Sequence, residues 1–89
     1  MVYNISYDLH APSQRYDKLH ELIVKTSNGK WAHLLDSTYI IQSFNSAEQI
    51  YNSLLPALDN NDKIFISEIT KNYYGQLTTK NWTFIKSLF

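Results

Sequence analysis

Asp8 stands near the end of a run of mostly apolar and aromatic residues, Val2-Tyr3-Asn4-Ile5-Ser6-Tyr7-Asp8-Leu9, and His10, Pro12 and Arg15 follow it closely. A carboxylate at the C-terminal tip of a buried strand can hold a metal ion or a reacting group, because rigid elements position such groups better than loops do. The plainer possibility is that Asp8 merely ends the strand and accepts hydrogen bonds from nearby backbone N–H groups. Arg15 is the only arginine of the chain. It lies near the start of the next helix, where a phosphate would be favoured. Further polar groups come from a turn at Asp36-Ser37 and a loop at Asp59-Asn60-Asn61-Asp62. Of the other histidines, His20 falls mid-helix as a surface or boundary residue. His33 alternates on a strand with Trp31 and Leu35, which could place it inward, as a hydrogen-bonded core residue or as a ligand.

The elements that must position these groups follow from periodicity. The first strand is read at Val2–Leu9. Pro12 and Ser13 precede a helix, with Ser13 as its cap. In that helix Tyr16, Leu19, Leu22 and Ile23 recur on one face, and Ser27-Asn28-Gly29 ends it, with Gly29 or Asn28 as the left-handed residue. Lys30–Leu35 and Thr38–Phe44 read as strands joined at Asp36-Ser37, either as a hairpin or as one long bent strand. Ser46 and Gln49 form a capping-box pattern ahead of Ile50, Leu54, Leu55 and Leu58, and Pro56 predicts a kink or an early end to that second helix. Lys63–Thr70 reads as the fourth strand. Tyr73-Tyr74-Gly75 reads as a loop, and Thr79 as the cap of a last short helix with Trp82, Ile85 and Leu88 or Phe89 on one face.

Composition bounds the rest. The 89 residues make one small domain, 1–89, and 44% hydrophobic content suffices to fill a core. Formal net charge is zero, which disfavours tight sequence-independent nucleic-acid binding by this chain alone but leaves room for a local positive patch. The absence of cysteine excludes disulfides and thiolate zinc sites, and fits a reducing, cytoplasmic setting. No long apolar run or basic leader is present, so neither a membrane span nor a signal peptide is expected.

Strand, helix, strand, strand, helix, strand and a helical tail predict an α+β protein. The expected architecture is a ferredoxin-like βαββαβ sandwich with an extra C-terminal helical segment. In that topology Asp8, His10, Arg15, Asp36, Ser37 and Asp62 gather at one edge, the one constellation with potential for chemistry.

With that topology, Ile5-Ser6-Tyr7-Asp8-Leu9 and Trp31-Ala32-His33-Leu34-Leu35-Asp36-Ser37-Thr38-Tyr39 give the chain a resemblance to a known family. It resembles the small CRISPR-associated nuclease-like subunit of spacer acquisition and its VapD-type and SinR-like relatives, over most of residues 1 to 70. The second motif looks especially like the SinR-like branch. The resemblance implies a homodimer in which Asp8 of both subunits holds a divalent cation, magnesium or manganese, for phosphodiester cleavage of RNA or DNA. It maps catalytic roles onto Tyr7, Asp8 and Arg15 and nucleic-acid contacts onto Arg15, Ser37 and Tyr39. His10, His33 and Asp36 stand nearby as accessory groups, with His33 where the family usually has glutamine. A protein partner, an integrase subunit or an antitoxin, is also implied. The alternative is a non-catalytic dimeric module of the same fold that docks a partner or nucleic acid, with Asp8 structural. Small size and the aromatic surplus of Tyr73, Tyr74, Trp82 and Phe89 independently suggest a homodimer joined through the tip edge and the C-terminal segment.

Overall fold

The computed structural model describes residues 1–10 and 14–89. The elements are β1 (Val2–Asp8), α1 (Tyr16–Thr26), β2 (Trp31–Leu35), β3 (Thr38–Gln42), α2 (Ala47–Leu54) with a 3₁₀ turn at Leu55–Ala57, β4 (Lys63–Glu68) and α3 (Thr79–Ser87). The sheet runs β2-β3-β1-β4, and every neighbouring pair is antiparallel. Two split βαβ units are therefore interleaved: β1 and β2 flank β3, while β3 and β4 flank β1. This is the expected α+β, ferredoxin-like arrangement, and the segment 36–37 is a hairpin tip rather than a bend in one strand.

Local chemistry explains most boundaries. The capping box of α2 is complete: Gln49 N–H donates to Ser46 Oγ, and Ser46 N–H donates to Gln49 Oε1. Pro56 ends α2 early, and the chain tightens into the 3₁₀ turn. Gly29 has φ +96°, the left-handed geometry that carries the chain from α1 into β2. Two cap assignments differ. Thr78, not Thr79, caps α3, its hydroxyl accepting from Asn81 N–H. The expected cap at Ser13, with Pro12, lies outside the described residues; the helix itself starts after Arg15, which makes no side-chain cap bond.

The sheet carries cores on both faces. On one face Tyr3, Ile5, Tyr7 and Leu9 of the first strand region pack with Tyr39, Ile41, Leu19, Ile23, Ile50 and Leu54 under α1 and α2. On the other, Val2 and Ile40 pack with Ile85 of α3 and with Leu88 just after it, with Ala32, Leu34, Ile69, Tyr73, Leu77 and Trp82 around them. That second face is where a plain βαββαβ sandwich would leave its sheet open. Here α3 returns across it. The aromatic surplus of the tail is largely spent within the chain, because Tyr73 stacks on Trp82 and on Phe89 at 6.1 and 5.5 Å between ring centres. Only Tyr74 of that group is fully exposed. Among the described residues no helix is long and apolar enough to cross a membrane.

Candidate functional site

The end of β1, the β2–β3 tip, the start of α1 and the start of β4 do meet at one end of the sheet. The expected constellation does not form a single site there; it divides into three arrangements.

At the hairpin tip, Tyr7 lies on the helix-covered face and is buried. Its backbone N–H donates to Ser37 O at 3.1 Å, and its hydroxyl donates to Asp36 O at 3.2 Å. The same hydroxyl lies 3.2 Å from His33 Nε2, which is itself 3.0 Å from Asp36 O. A carbonyl accepts twice, so an Nε2-protonated His33 and the Tyr7 hydroxyl can both donate to Asp36 O. His33 stacks flat on Tyr39 with rings 4.3 Å apart and 5° from parallel. Tyr39 in turn meets His20 Nδ1 through its hydroxyl at 2.6 Å, and His20 packs edge-on against Trp31. Burial pushes the Tyr7 hydroxyl up to about 12, with help from Tyr39, Tyr16 and Asp36. Burial also raises Tyr39. Both phenols therefore stay protonated at neutral pH.

Over the start of β4, the second arrangement is an anchor between loops. Asp62 accepts from the N–H groups of His10 and Asp59, both at 2.8 Å. Those two backbone bonds, that from Asp59 first, hold its carboxyl below the usual carboxylate range. Arg15 donates to Asp59 Oδ1 at 2.7 Å and to Pro56 O at 3.2 Å. The guanidinium read as a phosphate clamp is thus engaged in tying the start of α1 to the turn after α2.

Asp8 forms the third. Side chains alternate along a strand, so Tyr7 and Asp8, adjacent in sequence, face opposite sides of the sheet. Asp8 sits opposite Lys63 of β4, exposed, with His10 Nε2 at 3.7 Å. Beside it on the same face lies Phe65, 69% exposed, with Ser6 across the strand pair. The polar tip of this face is the part that α3 does not cover.

Several readings from the sequence change accordingly. Tyr39, expected to contact nucleic acid, is 3% exposed, with its ring stacked under His33. Tyr7 and Asp8 do not converge on one group. His33 is hydrogen-bonded, as one reading of it held, but it lies exposed on an edge strand instead of in the core. Ser37 contributes its backbone to the tip, through the bond from Tyr7. Among the described residues no group of three or more His, Cys, Asp or Glu side chains could hold a metal ion. Asp8 alone does not fit a resident magnesium or manganese. Sequence reasoning missed Phe65, whose signal was its place in strand alternation, on the same face as the polar residues Ser6 and Asp8 of β1. It missed too the link from His20 to Tyr39.

No family model and no curated protein matches the chain.

Proposed function

We propose that the chain works as a small homodimeric binding module, and that its histidines, tyrosines and carboxylates build the scaffold of the tip. The observation that carries this reading is Phe65, a large apolar side chain standing bare on the uncovered part of the sheet. Phe65 stands on an edge strand whose isoleucines Ile64 and Ile66 are only partly buried, and apolar surface at an open sheet edge, with an aromatic among it, suits an interface. The polar groups support the same reading, because Tyr7 and Asp62 spend their hydrogen bonds largely on backbone groups, and Arg15 spends its own on Pro56 O and Asp59. Sedimentation at micromolar concentration should give a species of twice 10.4 kDa. A clean monomer there ends the proposal.

A second reading keeps the resemblance to the CRISPR-associated family: a divalent-cation-dependent endonuclease built by two copies. Its support is the exposure of Asp8 at the end of β1, where the carboxylate, with His10 beside it, is open to a ligand that one chain cannot complete. Melting curves of wild type and Asp8→Asn, in EDTA and with magnesium or manganese, test it. Under this reading wild type gains stability from the metal and the variant does not. Identical responses of the two proteins would remove it.

A further inference from the structure

We infer that the second copy joins through the free edge of β4, in an antiparallel register centred on Phe65, so that two sheets become one. This rests on the dimeric reading above and adds its geometry.

The direction of the backbone groups comes first. Ile69 N–H donates to Val2 O at 2.8 Å, and the β1–β4 register continues without a slip from Tyr3↔Glu68 to Asp8↔Lys63. Hydrogen-bonding groups alternate along an antiparallel strand. Ser67, Phe65 and Lys63 therefore turn their backbone groups toward β1. Ile64, Ile66 and Glu68 turn theirs outward, where β4 is the sheet edge and the described residues offer them no partner. An uncovered edge with apolar side chains on both faces is a template for another strand.

Symmetry then limits the register. A two-fold axis through the sheet keeps each face on its own side, so a shift by one residue is forbidden. With Phe65 at the axis, Phe65 meets Phe65 of the second copy. Ile64 meets Ile66, and each of these partly buried isoleucines extends the core under α1 and α2. Lys63 meets Ser67. Glu68 faces Asp62, whose carboxylate is turned to the N–H groups of His10 and Asp59. Centring on Ile66 would instead set Phe65 against Ser67 and Ile64 against Glu68. Centring on Ile64 would set Phe65 against Lys63. Of these registers the Phe65-centred one alone matches apolar to apolar along the strand. The outward groups of Ile64 and Ile66 form its hydrogen-bonded pairs, and Phe65 falls at a close, non-hydrogen-bonded pair. From a strand spacing of about 4.8 Å and a rise of about 3.4 Å per residue, the two Asp8 residues stand about 20 Å apart. They cannot share a metal in this assembly, so it and the two-copy endonuclease exclude each other.

The chain has no cysteine, so single replacements report proximity cleanly. Close, non-hydrogen-bonded strand pairs fall within disulfide reach. Phe65→Cys under mild oxidation should convert the 10.4 kDa band into one of twice that mass. Because that change removes the apolar contact itself, a second measurement retains Phe65. Lys63→Cys mixed with Ser67→Cys should cross-link, while either alone should stay monomeric on a denaturing gel. A dimer in sedimentation without these cross-links overturns the edge pairing and leaves the dimeric reading standing. Cross-linking by Lys63→Cys alone also overturns it. A monomer in sedimentation overturns both.

Discussion

On the face covered by α1 and α2, β1 presents Tyr3, Ile5 and Tyr7, all buried; on the other face it presents Val2, Asn4, Ser6 and Asp8. The first series is apolar throughout. The second begins apolar and becomes polar toward the strand end. Cover follows that gradient. Two helices close the first face along its length, while α3 closes the second only around Val2 and Ile40. The attachment differs in kind as well. The first face is locked by side-chain-to-backbone bonds such as Ser43 Oγ to Thr26 O at 2.8 Å. Between the sheet and the body of α3 the contact is apolar, with one long bond from Gln42 Nε2 to Leu88 O at 3.4 Å. One face is thus a core, and the other is a surface partly lent to a helix and partly left for a partner.

If that contrast is right, substitutions should fall on an ordered scale. Ile23 is fully buried under the first face. Ile23→Ala should cost about 2–5 kcal/mol in denaturant unfolding, because a cavity in a well-packed core collapses poorly. Trp82 on the second face is only half-buried, so Trp82→Ala should cost less, about 1–3 kcal/mol. A loss for Trp82 equal to or above that for Ile23 would mean that α3 belongs to the main core.

Tyr7→Phe probes the tip below both. It removes the hydroxyl bond to Asp36 O and should cost about 0.5–1.5 kcal/mol at neutral pH. Its pH dependence is more telling. The folded Tyr7 hydroxyl sits at about 12 and the ordinary value is 10.0. Above pH 10 the unfolded chain ionises first, so this contribution to stability is complete below that pH and is lost as pH climbs toward 12. The variant should lose less stability than wild type across that interval. Tyr3 and Tyr39, also raised by burial, leave a residual slope in the same direction. Parallel curves for the two proteins would place Tyr7 in water.

Phe65→Ser should change the stability of the monomer least, within about 0.5 kcal/mol, as expected of an exposed position. Its effect should appear in sedimentation, where the dimer is lost. Unchanged mass with Phe65→Ser would move the interface elsewhere on the surface.

Much of this was legible in the chain. The strand and helix periods of Tyr3-Ile5-Tyr7 and Leu19-Ile23, the capping box at Ser46 and Gln49, and the stop at Pro56 all rest on chemistry within a few residues. The candidate site was less legible. Asp8, His10, Arg15, Asp36 and Asp62 were rightly brought to one end of the sheet by topology. Which of them share partners was not, because a hydrogen bond such as His10 N–H to Asp62 spans 52 residues and depends on loop geometry. The separation of Tyr7 from Asp8 could have been read from strand alternation, and the sequence motif that joins them concealed it.

By itself, then, the sequence determined the order and type of the elements, their apolar faces and hence the βαββαβ sandwich, since local propensity and the hydrophobic period agree at nearly every step. The tertiary structure alone decided that α3 folds back over Val2 and Ile40, that Arg15 is held by Asp59, that Tyr39 lies beneath His33, and that Phe65 is left bare beside an open edge. Those outcomes depend on which surface lies within reach of which other once the chain has closed. Reach is a property of three-dimensional distance, to which residue type and spacing contribute only through the fold.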